Sequence, residues 1–496
     1  SQFWFPITGI GAAHQATRDA AVSVRLEEGH VHIGVAVTSD VPRARVRVTV
    51  GVDTEERVVD LGPGRPWIDS MPCPHGVDAT RIEVIVHDGD RELIRWRPRS
   101  DDDGAPEPAV ATEPPLPADI ASADELYLTG VHLAQYRHPT RHPEPYWEEA
   151  LRRDPGDARS NTALGASAYA RGEYDVAAGY LRAAIDRLTF RNPNPADGEA
   201  HYRLGLVETR RGHDARAYDA FAKAAWDVRW AHPASVQMGL LDARAGRDLA
   251  ALGRLDDALR HGSDDPLARN VLVIVLRRLG RESEADAELA TLEQSDRLDV
   301  FTAYLARRAL PDDGLVLFDL AGDLARAGER DDALAVLAAA AGASATGTGG
   351  IAPVAEYERA RLLDEAGETD AAADARHRAQ RAPADWVFPA GLDAHDALEA
   401  AVAADPADAR ARALLGMWLY DRGRRTDALV QWRAALDDAT RDGVLLRNAA
   451  LATAEVEGDL DAAAALYDRA VEVSDDPRLW FELDQLAQRR GISAAA

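Results

Sequence analysis

A short pattern of glycine and alanine recurs along most of the chain and constrains its fold more than any other feature. In one copy, Gly165 is followed by Gly172, Ala177 and Leu181. The same spacing fits two further sets: Gly205, Gly212, Ala217 and Phe221, then Gly416, Gly423, Ala428 and Trp432. In each set the first glycine lets two helices touch, and the second allows the chain to reverse. The pattern therefore predicts pairs of antiparallel helices.

Weaker copies extend this pattern by pairing a predicted turn glycine with a later alanine: Gly253 with Ala258, Gly280 with Ala285, Gly328 with Ala333, Gly367 with Ala372, and Gly458 with Ala463. Two Asp-Pro pairs, Asp154-Pro155 and Asp405-Pro406, are each predicted to end a helix before a new repeat. This spacing is typical of tetratricopeptide repeats. We therefore predict a mainly α fold, a tetratricopeptide-type α-solenoid of about eight helical hairpins over residues 120–496, with insertions at 341–353 and 383–391.

The first part of the chain has a different period. Apolar residues alternate along several short segments, as in Val22-Val24-Leu26 and Val31-Ile33-Val35-Val37, with turn-rich breaks between them. This alternation predicts a small antiparallel β-sandwich over residues 1–99. The main interpretation is a spacer or packing domain, with Trp67 and Trp96 in its core. The alternative is a sugar-binding module that uses these tryptophans as platforms. Residues 100–119 are acidic and rich in proline, which predicts an extended linker.

Charge and cysteine content narrow the classes of partner and the compartment. The chain has 57 basic and 84 acidic residues, a formal net charge of -27. Such a surface repels phosphate groups, so neither nucleic acid nor a membrane surface is an expected partner. No run of about 18 apolar residues predicts a membrane span. The single cysteine, Cys73, forms no internal disulfide and fits a reducing, cytoplasmic compartment.

Residues 126–230 contain more aromatic, His, Asn and Arg residues than a repeat needs. Three phrases stand out: Leu126 to Trp147, Thr189 to Tyr202, and Ala217 to Trp226. Together with residues 2–7 and 9–11, they resemble the C-terminal half of large bacterial tetratricopeptide-repeat proteins. The N-terminal half of those proteins is a galactose-mutarotase-like domain of unknown function. The resemblance implies that this chain follows a front domain that carries catalysis. The third phrase departs from the family's aromatic-rich form at Ala222, which implies no contact role there.

Nine residues in the first two phrases are candidate binding or docking residues: Gln135, Tyr136, His138, Arg141, Arg191, Asn192, Asn194, Glu199 and Tyr202. Arginine suits bidentate contacts to carboxylates, and asparagine beside proline suits turns. A metal site formed by His132, His138 and His142 is the weakest interpretation, because prolines interrupt any helix between the last two. One alternative for this segment is an irregular loop whose His and Arg side chains bond to backbone carbonyls. Another is a polar surface that docks the front domain or lies at the rim of its sugar pocket.

We predict no catalytic residue, metal or cofactor in this chain, because it contains no Gly-x-Ser-x-Gly, phosphate-binding loop or Cys/His pair. The leading prediction is a protein-interaction or scaffold module that holds a protein or peptide in the solenoid groove. The alternative is the accessory C-terminal half of a carbohydrate-active enzyme, similar to a glycoside hydrolase, that docks on an upstream domain of the same polypeptide and contacts carbohydrate. The sequence leaves homodimerisation open.

Overall fold

The computed structural model describes Phe5, Ile7 and residues 9–27, 29–73, 79–98, 112–136, 138, 140–194, 196–343, 350–437 and 440–492. Parts of several predicted segments lie outside the described residues: most of the phrase at 2–7, residues 100–111 of the predicted linker, Arg137, Pro139, Pro195, and residues 344–349 of the first insertion. The chain divides into two compact units, Ser1–Glu113 and Pro114–Ala496.

The first unit is a sandwich of two antiparallel sheets. Its described strands are β1 Gln15–Ala16, β2 Ala20–Glu27, β3 His30–Val37, β4 Val41–Val50, β5 Asp53–Leu61, β6 Trp67–Pro72, β7 Ile82–Asp88 and β8 Arg91–Trp96. One sheet has the order β1-β2-β3-β6 and the other β5-β4-β7-β8. The alternating valines and isoleucines of β2, β3, β4 and β7 form the core between the sheets. This confirms the predicted antiparallel β region.

Three strands of this unit, β1, β5 and β6, were not predicted from the sequence, and β5 and β6 are the longer ones. Most side chains of β5 are exposed or half-buried, so it lacks the apolar alternation that marks a strand with one buried face. Both strands lie at a sheet edge. Trp67 and Trp96 are half-buried and pack against the core, as the main interpretation expected.

The second unit is built from helices. Its described α-helices are α1 Ala123–Tyr136, α2 Glu144–Arg153, α3 Ala158–Ala170, α4 Tyr174–Thr189, α5 Glu199–Arg210, α6 Asp214–Ala224, α7 Val228–Arg244, α8 Asp248–His261, α9 Pro266–Arg278, α10 Glu282–Ser295, α11 Val300–Leu305, α12 Gly314–Arg326, α13 Arg330–Gly342, α14 Ala352–Glu365, α15 Thr369–Arg381, α16 Gly391–Ala404, α17 Ala409–Asp421, α18 Arg425–Ala435, α19 Gly443–Ala452, α20 Leu460–Val473 and α21 Pro477–Arg489. The fold is mainly α, as predicted. None of the described helices is long and apolar enough to cross a membrane.

Most of these helices pack as hairpins between neighbours in sequence. The described pairs are α1–α2, α3–α4, α5–α6, α7–α8, α9–α10, α12–α13, α14–α15, α17–α18 and α19–α20. Helices α11, α16 and α21 have no partner of this kind. Helix α16 instead packs on α14 and α17. The hairpins share a continuous apolar core from α7 to α19, which a single hairpin could not form alone.

The turn glycines adopt the left-handed conformation that the sequence pattern requires. Seven predicted turn glycines have φ between 70° and 86°: Gly172, Gly212, Gly280, Gly328, Gly367, Gly423 and Gly458. The eighth prediction was wrong, because Gly253 lies inside α8. The chain turns instead at Gly246, with φ of 70°, and Ala251 is the buried small residue that follows. Gly212, Gly246 and Gly280 are then evenly spaced.

The last residues of the predicted linker fold against the first hairpin. The Tyr146 hydroxyl donates a hydrogen bond of 2.9 Å to the Pro115 carbonyl. The Arg153 guanidinium donates to the Pro117 and Ile120 carbonyls at 3.3 and 2.7 Å. Tyr146 is almost fully buried, so water does not solvate its hydroxyl group. The bond to the Pro115 carbonyl therefore avoids the free-energy cost of a buried, unpaired hydroxyl.

Candidate functional site

The first helices of the first three hairpins, α1, α3 and α5, line an open cavity together with α2. Its volume is about 550 Å³, within the range of ligand sites. The lining side chains are Tyr127, Val131, Ala134, Gln135, Pro143, Glu144, Trp147, Ala158, Arg159, Thr162, Ala163, Ala166, Ser167, Leu188, Asp197, Glu199, Ala200 and Arg203. Successive turns of each helix contribute, because residues three to four apart share one helix face.

A close contact between Trp147 and the backbone of α1 forms the α1–α2 side of the cavity. Trp147 is buried, and its indole nitrogen donates to the Tyr127 carbonyl at 3.2 Å. A Cβ atom at Gly130 would lie 2.3 Å from that nitrogen, so only glycine permits this approach of the two helices. Trp147 is thus a core residue, and it fixes the position of the Tyr127 backbone at the cavity.

The Tyr127 ring lies beneath one arginine of α3. The Arg159 guanidinium lies over it, 4.9 Å from the ring centre, and also donates to Asp124 at 2.5 Å. Burial raises the pKa of Tyr127, and the Glu199 carboxylate raises it further. Tyr127 is therefore a neutral phenol at physiological pH, with one ring face covered by a cation.

The charged groups of the cavity wall are already paired. Arg203 donates to Glu199 at 2.7 Å. Glu144 accepts a short hydrogen bond from Ser167 and lies 3.7 Å from Arg171. A ligand with a full charge would have to compete with one of these partly exposed pairs, whereas a neutral group would leave them intact. The cavity therefore favours neutral polar or apolar groups.

Of the nine sequence-predicted residues, Gln135 and Glu199 line this cavity. Gln135 is exposed near the end of α1, and no hydrogen bond of its side chain joins it to another described residue. Tyr136 follows it with 73% of its surface exposed, and its ring lies 4.7 Å from the ring of His132. Within the segment 126–147, the Gln135 amide thus lies in the cavity wall, and the next residue in the chain, Tyr136, has an exposed ring.

His138 and Arg141 belong to the irregular segment between α1 and α2. The His138 Nδ1 atom accepts hydrogen bonds from the backbone N–H groups of Thr140 and Arg141, at 3.3 and 3.2 Å. His138 thus bonds to the backbone of its own loop, but to N–H groups and not to the carbonyls that the loop interpretation expected. Among the described residues, no three or more His, Cys, Asp or Glu side chains lie close enough to hold a metal ion.

The candidate residues in the segment 189–202 lie partly in a loop and partly in the packed interior. Arg191, Asn192 and Asn194 are exposed between α4 and α5. The Asn192 side chain accepts from the Asn194 backbone at 3.0 Å, and the Asn194 side chain accepts from Lys223 at 2.6 Å. Tyr202 is half-buried and stacks on Trp230 with ring centres 4.9 Å apart. Tyr202 therefore packs between α5 and α7 instead of facing the cavity.

Sequence reasoning missed the cavity residues Tyr127, Arg159, Ser167 and Arg203. Their signal was helical spacing: Tyr127, Val131 and Gln135 recur every four residues along α1. Glu199 and Arg203 recur in the same way along α5. That spacing shows which residues share a face, but it does not show that the faces of three helices meet.

A polar cluster elsewhere in the unit joins distant hairpins at the edge that carries their turns. Arg210, at the end of α5, donates to Asp393 and Asp396 of α16 at 2.5 and 2.8 Å. Arg326 of α12 donates to the other oxygen of Asp393 at 2.8 Å, and Tyr174 of α4 donates to Asp396 at 2.6 Å. Helix α16 thus ties the second and third hairpins to the later ones.

Two family models match parts of the chain. Residues 15–96 match the second domain of YphG-like proteins. Residues 144–190 and 162–230 match the tetratricopeptide repeat. The first match spans the described strands of the sandwich, and the second runs from α2 into α7.

Solved structures of repeat proteins are similar over much of the chain at low identity. YrrB, a tetratricopeptide-repeat protein with an unusual peptide-binding site, is 17% identical, over 45% of this chain and 97% of its own, with a TM-score of 0.27. A tetratricopeptide-repeat protein from Parabacteroides merdae is 12% identical, over 67% and 98%, with a TM-score of 0.26. The C-terminal part of a repeat protein from Cytophaga hutchinsonii is 14% identical, over 58% and 96%, with a TM-score of 0.29. The chain is thus a mainly helical protein with tetratricopeptide repeats, preceded by a β region that matches the second domain of YphG-like proteins.

Proposed function

We propose that the helical unit is a protein-interaction scaffold and that its partner binds in the cavity formed by α1, α2, α3 and α5. The observation that carries this proposal is the cavity itself. It is open, about 550 Å³ in volume, and lined by small side chains such as Ala134, Ala163 and Ala166 that leave room for a ligand. Most of its lining residues belong to helices α1, α2, α3 and α5, so those walls are formed before a partner binds.

The pairing of the charged and polar groups in the cavity wall indicates which part of a partner would enter the cavity. Arg159, Arg203, Glu144 and Glu199 are paired within the chain. The Gln135 amide and the Tyr127 hydroxyl are groups in the wall with donor and acceptor atoms available to a ligand. An uncharged polypeptide segment fits both conditions, since its backbone can bond to an amide without displacing an ion pair.

A photo-crosslinking amino acid at position 135 tests this proposal. We expect it to capture a partner that the same amino acid at the exposed position 287 of α10 does not capture. The captured protein, once purified, should bind the full chain and lose at least tenfold in affinity to Gln135→Trp, which fills the cavity mouth. The matched control is Leu128→Trp, an exposed position of the same helix outside the cavity. Equal affinity for both variants would reject the cavity as the binding site.

The second candidate function is an accessory half of a carbohydrate-active enzyme. The observation that favours it is the match of residues 15–96 to a domain described as the second of YphG-like proteins. In this proposal, the loops that carry Arg141 and Arg191, together with Gln135, complete a site on a front domain similar to galactose mutarotase. The test is glycoside binding and hydrolysis by the product of the natural reading frame. Alanine at Arg141 or Arg191 should then lower kcat/KM, whereas unchanged hydrolysis in both variants would contradict the docking role.

A further inference from the structure

The His395 imidazole of α16 is completely buried where this helix meets the second hairpin, α3–α4. Its ring centre lies 4.2 Å from that of Trp418 in α17 and 6.0 Å from that of Tyr174 in α4, which it meets edge-on. The turn glycine Gly172 covers the ring so closely that a Cβ atom there would lie 2.6 Å from Nε2. A histidine in such a place needs partners for both of its ring nitrogens.

Both ring nitrogens of His395 face carboxylate oxygens of its own helix. The Nδ1 atom lies 3.0 Å from an oxygen of Asp396. The Nε2 atom lies 3.3 Å from an oxygen of Glu399, close enough for charge attraction but not aligned as a hydrogen bond. A neutral imidazole has one N–H group and one lone pair, so either neutral tautomer directs a lone pair at a carboxylate. The imidazolium suits both contacts.

The Asp396 carboxylate also holds the second hairpin. The hydroxyl of Tyr174, the first residue of α4, donates at 2.6 Å to the same Asp396 oxygen that faces His395. A second contact joins the hairpin turn to α18, because Arg424 donates to the Arg171 carbonyl at 3.1 Å. In the described part of the chain, the second hairpin and α16 meet through such single side chains and not along a helix face. The position of the hairpin therefore depends on few contacts.

The charged groups that neighbouring elements bring to this place are paired with one another. These pairs are Arg210 of α5 with Asp393 and Asp396, Arg171 at the hairpin turn with Glu144 and Glu173, Arg424 with Asp427 at the start of α18, and Arg422 with Asp421 at the end of α17. Burial raises the pKa of Tyr174, so its hydroxyl remains a donor. Among these groups, the His395 imidazole is the one that titrates near neutral pH.

We propose that His395 is a pH-dependent latch, whose imidazolium form holds the α3–α4 hairpin against α16 and whose deprotonation releases the hairpin. A neutral ring would leave a buried nitrogen without a partner beneath Gly172, which costs free energy unless the turn moves aside and admits water. Helix α3 of this hairpin lines the proposed binding cavity, so release would also alter that cavity.

The direction of the pH dependence follows from the environment of the imidazole. Burial lowers the pKa of His395, but Asp396 and Glu399 outweigh it and raise the pKa above its ordinary value of 6.5. The closed arrangement is therefore fully stabilised below that pH. This stabilisation is lost as the pH rises through the higher pKa of the folded state.

Pulsed electron paramagnetic resonance between spin labels on α4 and α18 tests the latch in the full chain, without any partner. The labels are attached at Val176→Cys and Val430→Cys, both exposed, in a Cys73→Ser background. We expect a narrow distance distribution at about pH 5.5 and a longer, broader one at about pH 9. His395→Gln should give the broad distribution at both pH values. His377→Gln, at an exposed position of α15, is the control and should respond to pH as the parent does.

Glu399→Gln distinguishes a titrating latch from a merely structural histidine. Glu399 exposes half of its side chain, so this variant should fold, and it removes the carboxylate beside Nε2. The midpoint of the distance change should then move to lower pH, because a carboxylate favours the imidazolium. A distance that does not change with pH would overturn the inference. So would a pH response that persists in His395→Gln, or a midpoint that stays in place in Glu399→Gln.

Discussion

At Gly205 and Gly416 the two helices of a hairpin approach so closely that a methyl group would collide with an aromatic ring. A Cβ atom at Gly205 would lie 2.4 Å from the Phe221 ring, and one at Gly416 would lie 2.3 Å from the Trp432 indole. Both rings are buried and surrounded by core residues. They cannot move away without disturbing the packing of the next helix.

We therefore expect Gly416→Ala to lower the free energy of unfolding by about 1–3 kcal/mol, the usual cost of an added group in a filled core. The control is Gly179→Ala, at an exposed position of α4 where an added Cβ meets nothing within 4 Å. That change should raise stability by up to about 1 kcal/mol, because alanine favours helix. Urea denaturation measures both, and a neutral Gly416→Ala would contradict the close approach.

The corrected turn at Gly246 gives a second prediction. Gly246 has φ of 70°, a left-handed conformation that alanine adopts only at a cost. Gly246→Ala should therefore lower the free energy of unfolding by about 1–2 kcal/mol. Gly253 lies inside α8 with open space around it, and Gly253→Ala should stabilise the protein by up to about 1 kcal/mol. Thermal unfolding of the two variants should thus shift in opposite directions. If Gly253→Ala lowered the melting temperature and Gly246→Ala raised it, the turn would lie at Gly253, as the sequence pattern first predicted.

At the residue scale, the repeat pattern predicted the turn glycines well and failed where two glycines compete. Gly246 and Gly253 are both followed five residues later by alanine. The deciding residue is Gly239, which packs on Leu255 in the same way as Gly205 packs on Phe221. The cavity was harder to predict, since Gln135 and Glu199 come from helices that are adjacent only after the hairpins stack.

Among the elements, α16 departs most from the repeat pattern, and its contacts depend on two carboxylates. Burial alone would raise the pKa of Asp393, but the guanidinium groups of Arg326 and Arg210 outweigh it and lower the pKa to about 2. Because the unfolded value is 3.8, the ionised carboxylate stabilises the folded state above that pH. This stabilisation is lost as the pH falls from about 4 to 2.

We expect Asp393→Asn to lower the free energy of unfolding at pH 7 by roughly 2 kcal/mol, the value of a pKa shift of this size. The difference from the wild type should shrink as the pH falls to about 2, where the wild-type carboxyl also becomes neutral. Asp286→Asn, at an exposed position of α10, is the control and should have no effect at either pH. Chemical denaturation at both pH values measures this, and a deficit that stays constant with pH would refute the ion-pair explanation.

Sequence periodicity found the elements with one strongly apolar face and missed those without it. Helices with a repeat partner, such as α3 and α4, carry the full glycine and alanine pattern. Helix α16 buries alanines like its neighbours, but Gly391 at its start follows an insertion and does not join it to α15 as a hairpin. Edge strand β5 presents mainly polar side chains, so only its pairing with β4 identifies it.

For the whole molecule, each unit has a hydrophobic core of its own. The sandwich core lies within residues 20–94, and the large helical core runs from Val236 to Ala452. We expect residues 114–496, expressed alone, to fold and to unfold within a few degrees of the helical transition in the full chain. Circular dichroism at 222 nm measures this transition. A helical unit that does not fold alone would contradict the assignment of two separate cores.

The division into a β part and a helical part could be predicted from a change of period, because local spacing reports local structure. The contacts that α16 makes with α4, α5 and α12, at the edge that carries the turns, could not be predicted in this way. Tyr174 and Asp396 are more than two hundred residues apart in sequence, and each appears ordinary in its own helix. Only the accumulated rotation of the hairpins between them brings these two residues together.

Closure of this edge by α16 has a consequence for how the gene can change in length. An open array of repeats tolerates the gain or loss of one hairpin, because each unit contacts only its neighbours. Here, a hairpin added between α6 and α12 would move Arg210 away from the Asp393 that it shares with Arg326. Duplication and deletion, the usual route by which repeat proteins evolve, would therefore be selected against inside this closed segment and tolerated outside it.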